Sequence, residues 1–82
     1  MPRFYFHVRD GREFIDDEGL ELPGLDEARE QAVISAGEAI RDLGKRFWNS
    51  GEEWHMEVSD EIGETVCSLT FSSKRKAALR LP

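Results

Sequence analysis

The 82-residue chain predicts an α+β domain. The expected architecture is a four-stranded, mainly antiparallel sheet with one long helix on one face, in the order β-β-α-β-β. Three observations lead there. Short segments near both ends alternate apolar and polar residues with period two, the pattern of half-buried strands. A central segment repeats apolar residues at helical spacing. Asp10-Gly11 supplies a hairpin turn signal in the first half, and the polar stretch 60–64, which contains Gly63, supplies a turn in the second.

In residues 4–9, Phe4, Phe6 and Val8 fall on one side and Tyr5, His7 and Arg9 on the other. A short returning strand is expected near residues 13–16, anchored by Phe14 or Ile15. Residues 17–23 are acidic with alternating leucines and read as an extended connection, with Leu20 and Leu22 closing one edge of the core. Pro23-Gly24 ends that stretch. A helix follows, with Gly24 as a passable N-cap and Asp26, Glu27 and Glu30 at the end where negative charge suits the helix dipole. Its apolar stripe is Leu25, Ala28, Ala32, Ala36, Ala39, Ile40, Leu43 and Phe47. Gly37 and Gly44 each cost about 1 kcal/mol in a helix interior. Because Phe47 and Trp48 continue the stripe beyond Gly44, the helix end is placed near Asn49-Ser50-Gly51. The small alanines suit a helix lying close against a sheet.

Residues 54–59 alternate again, with Trp54, Met56 and Val58 inward and His55, Glu57 and Ser59 outward. Residues 65–72 form the last strand, with Cys67, Leu69 and Phe71 inward and Val66, Ser68 and Thr70 outward. The domain is thus expected over residues 1–72, followed by a flexible basic tail, 73–82.

Composition narrows the function classes. Eleven basic against 17 acidic residues give a formal charge of -6. The tail holds four of the bases and no acid, leaving -10 on residues 1–72. That balance argues against electrostatic capture of nucleic acid by the body of the domain. No apolar run is long enough to span a membrane, and no signal-peptide pattern opens the chain. A single cysteine, Cys67, forms no internal disulfide and fits a reducing compartment, so a cytoplasmic location is expected.

The candidate chemistry is sparse. His7 and His55 share the open sheet face with Tyr5, Arg9 and Glu57, and these five residues are the candidate interaction surface. A metal site would need a third ligand such as Glu57 or Asp60, and no zinc-binding spacing is present, so no metal and no cofactor are expected. Cys67 falls on the face opposite both histidines, which separates thiol from base and makes a buried structural thiol the simpler reading. The run Asp16-Asp17-Glu18 with Glu21 lacks the calcium-loop spacing and reads as a solvated acidic loop. One exposed aromatic with two histidines is a thin stacking platform for single-stranded RNA. Lys74, Arg75, Lys76 and Arg80 of the tail are the candidate nucleic-acid contacts. No nucleophile, base and orienting group assemble from spacing, so no catalytic residue is assigned.

The opening Met1-Pro2-Arg3-Phe4-Tyr5-Phe6-His7-Val8-Arg9-Asp10-Gly11 resembles that of a family of small uncharacterised bacterial proteins. Asp16-Asp17-Glu18-Gly19, Leu22-Pro23, the alanine-rich helix and the Trp54, Val58, Asp60, Gly63 hairpin continue the resemblance over roughly residues 1–72. It implies a fold and a bacterial cytoplasmic setting, and no reaction. A chain this short buries only about 60–65% of the surface its unfolded form exposes, and without a disulfide or metal it gains from self-association. The sequence assigns no specific function and no protein partner; the leading expectation is a small non-enzymatic interaction module that self-associates as a homo-oligomer. The alternative is a nucleic-acid-associated or antitoxin-like regulatory protein, which rests on analogy of fold.

Overall fold

Alternating side chains make strand β1 (Arg3–Arg9) the centre of the sheet's first half. Phe4, Phe6 and Val8 turn to the core while Tyr5 and His7 lie on the opposite face. The computed structural model describes residues 1–50 and 53–74. Asp10-Gly11-Arg12 turns the chain, with Gly11 at φ 95° and the Asp10 amide donating to the Arg12 carbonyl at 3.1 Å. Strand β2 (Glu13–Phe14) then pairs back, placing Val8 opposite Phe14.

Residues 17–23 are not merely a connection, because Leu20–Glu21 form strand β3, pairing Arg3 with Glu21 and Phe4 with Leu20. The Leu22 amide extends this ladder to the Pro2 carbonyl at 3.0 Å. The sheet therefore has five strands, in the order β2-β1-β4-β5, with β3 beside β2 on the same edge of β1. Phe14, Ile15 and Leu20 are exposed, so the expected anchors of this region lie outside the core, and Leu22 packs against it. The Arg12 guanidinium instead sits over the Phe14 ring, 5.4 Å from its centre.

Helix α1 (Leu25–Leu43) starts from an extended Gly24 without a side-chain cap. It ends at Gly44, whose φ of 55° and amide bond to the Ile40 carbonyl close the last turn. The helix expected to reach residue 49 is thus two: α2 (Lys45–Ser50) is a separate short helix. The left-handed backbone that glycine adopts without penalty outweighs the continuing apolar stripe. Ala28, Ala32 and Ala36 are fully buried against the sheet, where larger side chains would hold the helix away. Leu25, at the first turn, is exposed rather than part of the buried stripe.

Strand β4 (Trp54–Ser59) runs antiparallel to β1, pairing Phe6 with Val58 and Val8 with Met56. Strand β5 (Thr65–Phe71) runs antiparallel to β4. Asp60 organises the turn between them, its carboxylate accepting from the Ile62 and Glu64 amides at 3.1 and 2.9 Å. The core is Phe4, Trp54, Met56 and Val58 under the three alanines. The register holds Val58 opposite Cys67 but Ser59 opposite Thr65, so Val66 is the extra residue of a β-bulge. This is why Val66, expected on the open face, packs against the core together with Cys67. Cys67 itself is half-buried. Phe71 makes an edge-on contact with Trp54, centroids 5.9 Å apart, yet stays 37% exposed.

Gly19 is a position with no room. Its φ is 73°, and a Cβ there would lie 2.8 Å from Arg3 Cγ, 2.8 Å from Tyr5 Cε2 and 2.9 Å from the Phe4 carbonyl oxygen. Gly19→Ala is expected to cost about 2–4 kcal/mol from backbone strain and overpacking, read as a lowered urea midpoint. An unchanged midpoint would mean that residues 16–19 do not press on β1.

Candidate functional site

The open face of the sheet carries the candidate residues from the sequence, and the structure divides them into two groups. Tyr5 and His7 stack in parallel, centroids 6.5 Å apart and 3° between planes. Both are half-buried, and Gly19 closes over Tyr5. His7 is committed at both ring nitrogens. Its Nε2 lies 2.9 Å from Ser59 Oγ, and its Nδ1 accepts from the Asp16 amide at 3.1 Å. That pattern requires the neutral tautomer with the proton on Nε2. Ser59 is only 7% exposed although it lies on the open face, because this ring and the loop above it shelter the hydroxyl.

Asp16 is the organising residue of that loop. One carboxylate oxygen accepts from the Glu18 and Gly19 amides at 3.0 and 3.1 Å, and the other accepts from the Phe6 amide of β1 at 3.1 Å. Burial pushes this carboxyl up, but hydrogen bonds from the Gly19, Phe6 and Glu18 amides outweigh it and hold it below its ordinary 3.8. The Phe6 bond matters for the sheet. It fills the stretch of the β1 edge between β3 and β2 with a side chain instead of a strand. A solvated acidic loop was the expectation for residues 16–18, and Asp16 is the exception to it. The signal was present as Asp-x-x-Gly, an acceptor three residues before a glycine that takes the left-handed turn.

The second group lines a groove. His7, Arg9, Glu13, Ile15, His55 and Glu57 surround a cleft of about 80 Å³. Arg9, Glu13 and His55 also line a larger hollow of about 540 Å³, together with Gly11, Arg12 and Glu53. His55 lies 2.9 Å from Thr70 Oγ1 through Nδ1. Arg9 approaches Glu13 at 3.9 Å, and Arg12 is taken up by Phe14. The hollow therefore balances its guanidinium groups with its own carboxylates and aromatic ring, leaving little unspent positive charge to draw an anion. Among the described residues, no group of three or more His, Cys, Asp or Glu side chains could hold a metal ion. Of the basic tail, Lys74 is exposed, while Arg75, Lys76 and Arg80 lie outside the described residues.

A third feature was not legible in the sequence. β5 is the last strand of its sheet, and among the described residues nothing pairs with its outer edge. Seven residues, Thr65–Phe71, present that edge without a charge, a proline or a glycine. Burial falls off across the sheet towards it. The inward side chains of β4 are buried, whereas Cys67 and Leu69 are half-buried and Phe71 is exposed.

No helix among the described residues is long and apolar enough to cross a membrane. A family model described as a domain of unknown function (DUF6894) matches residues 3–72. No curated protein and no solved structure matches the chain.

Proposed function

The chain belongs to the family described as a domain of unknown function (DUF6894), and within it we propose a non-enzymatic interaction module that works by self-association. The observation that carries this reading is the unfinished side of the core. Alternate residues of β5 meet the helix on one side and open space on the other. A long, uncharged, unpaired edge is a template for another strand, and proteins that stay monomeric usually blunt such edges with charge, proline or a covering loop. Here the opposite edge, on β1, is blunted by two very short strands and the Asp16 carboxylate, while among the described residues β5 has none of these devices.

The polar groove supports the non-enzymatic part. His7 spends both nitrogens on structure, and Arg9 and Arg12 are engaged within the hollow. A cytoplasmic, bacterial setting belongs to the same proposal, supported by the lone half-buried thiol, which needs a reducing environment to stay free. Light scattering on the eluting protein is expected to give a mass above 9.4 kDa that rises towards an integer multiple with concentration. A mass that stays at 9.4 kDa up to millimolar concentration would sink this reading.

A further inference from the structure

Resting on that self-association, we propose that the interface is β5 itself, added antiparallel to β5 of a second copy about a two-fold axis at Leu69. Val66 interrupts the regular ladder, so the stretch free to pair evenly is 67–71. Full overlap of that stretch with its own copy places Leu69 opposite Leu69 and Cys67 opposite Phe71 on the core side. On the open side it places Ser68 opposite Thr70. Directly opposed residues in an antiparallel pair lie on the same face, so apolar meets apolar and hydroxyl meets hydroxyl throughout. The strand is complementary to itself.

Charge points to the same occupant. Beyond the strand, antiparallel pairing sets the exposed Lys74 that follows β5 of one copy at the end where the other copy's β5 begins, beside the acidic turn of Asp60, Glu61 and Glu64. Two copies that each carry a net charge of -6 thus meet through an uncharged strip flanked by opposite charges. The helix adds contact. α1 packs against β4 and β5, so strands about 4.8 Å apart bring the two α1 helices side by side at about 10 Å, the spacing of packed helices. The strand contact alone is small by the standard of protein interfaces, under about 1,200 Å², so association in the micromolar range is expected.

A charge swap on the open face tests the register. Ser68 and Thr70 are exposed and outside the core, and circular dichroism checks that each variant folds. The dissociation constant is measured by sedimentation for the wild type, for Ser68→Lys with Thr70→Lys, and for Ser68→Lys with Thr70→Glu. In the first double variant like charges oppose one another twice across the axis, and the dimer is expected to weaken by about tenfold or more. In the second, each lysine opposes a glutamate of the other copy, and dimerisation is expected to return to near the wild-type value. A dimer that neither double variant disturbs would leave self-association standing and overturn the β5 interface. Equal weakening by both would overturn the Leu69 register. A wild-type monomer would overturn the interface and the self-association together, handing the edge to a strand of another origin.

Discussion

Trp54→Ala is expected to remove a large part of the fold's stability and to lower its urea midpoint steeply. Trp54 is 2% exposed and opens β4 beneath the helix, with Phe71 against its edge. Truncating a buried tryptophan costs about 3–5 kcal/mol from lost transfer energy and the cavity left behind. A chain of this length has roughly 4–12 kcal/mol in total, so the loss consumes a large part of it. The remaining core cannot collapse to compensate, because three of its seven buried residues are alanines already in contact with the sheet. Urea unfolding followed by far-ultraviolet circular dichroism reads the effect. Trp48→Ala is the internal control, since Trp48 is exposed and a surface truncation of that kind costs within about 0.5 kcal/mol. Phe6→Ala should fall between them, because Phe6 is half-buried. A mild effect at Trp54 would place the core somewhere other than under α1.

The second large effect is expected at Asp16. Asp16→Ala removes the acceptor of three backbone amides at once, on Phe6, Glu18 and Gly19. Hydrogen bonds to a charged group contribute about 1.5–3 kcal/mol each where burial is complete. This site is only partly buried, so a total of about 2–4 kcal/mol is the reasonable expectation. Acid sharpens the test. The carboxyl is held below its ordinary 3.8 in the folded protein, so its contribution is full above that value and is lost as pH falls through the lowered one. The stability difference between wild type and Asp16→Ala should therefore be constant near neutrality and shrink below pH 3.8. Faster hydrogen exchange at the Phe6 amide in the variant localises the loss to the β1 edge. A difference that grew on acidification would mean that the carboxylate is not the form that binds these amides.

How much of this was legible depended on whether a signal was periodic. Phe4-Tyr5-Phe6-His7-Val8 and Trp54-His55-Met56-Glu57-Val58 sort their side chains by alternation alone, and the structure keeps them on the faces so assigned. Ala28, Ala32 and Ala36 follow from helical spacing in the same way. The failures are local events that periodicity does not describe. Val66 turned inward because it is the extra residue of the bulge, beyond which Cys67, Leu69 and Phe71 keep the faces that alternation assigns, and no residue type announces a bulge opposite Val58 and Ser59. β3 has two residues, too few to show a period, and exists because Asp16 turns the chain back onto β1. At Gly44 two signals competed, and the glycine prevailed over the apolar stripe. At the candidate site, the grouping of Arg9, His55 and Glu57 was readable from alternation, whereas the engagement of His7 by Asp16 and Ser59 was not. Which strand would lie outermost depends on the order in space, which one sequence does not state.

The unequal borders of the sheet set a limit on growth. A copy with two adhesive margins could take neighbours on either hand and lengthen into a filament without end. Here the margin beside β1 is sealed by Asp16 and two stubs of strand, so under the proposed β5 pairing no open border would remain among the described residues to recruit a third chain. The proposed assembly would then stop at a pair, and the carboxylate that fastens one small loop would also keep it from polymerising.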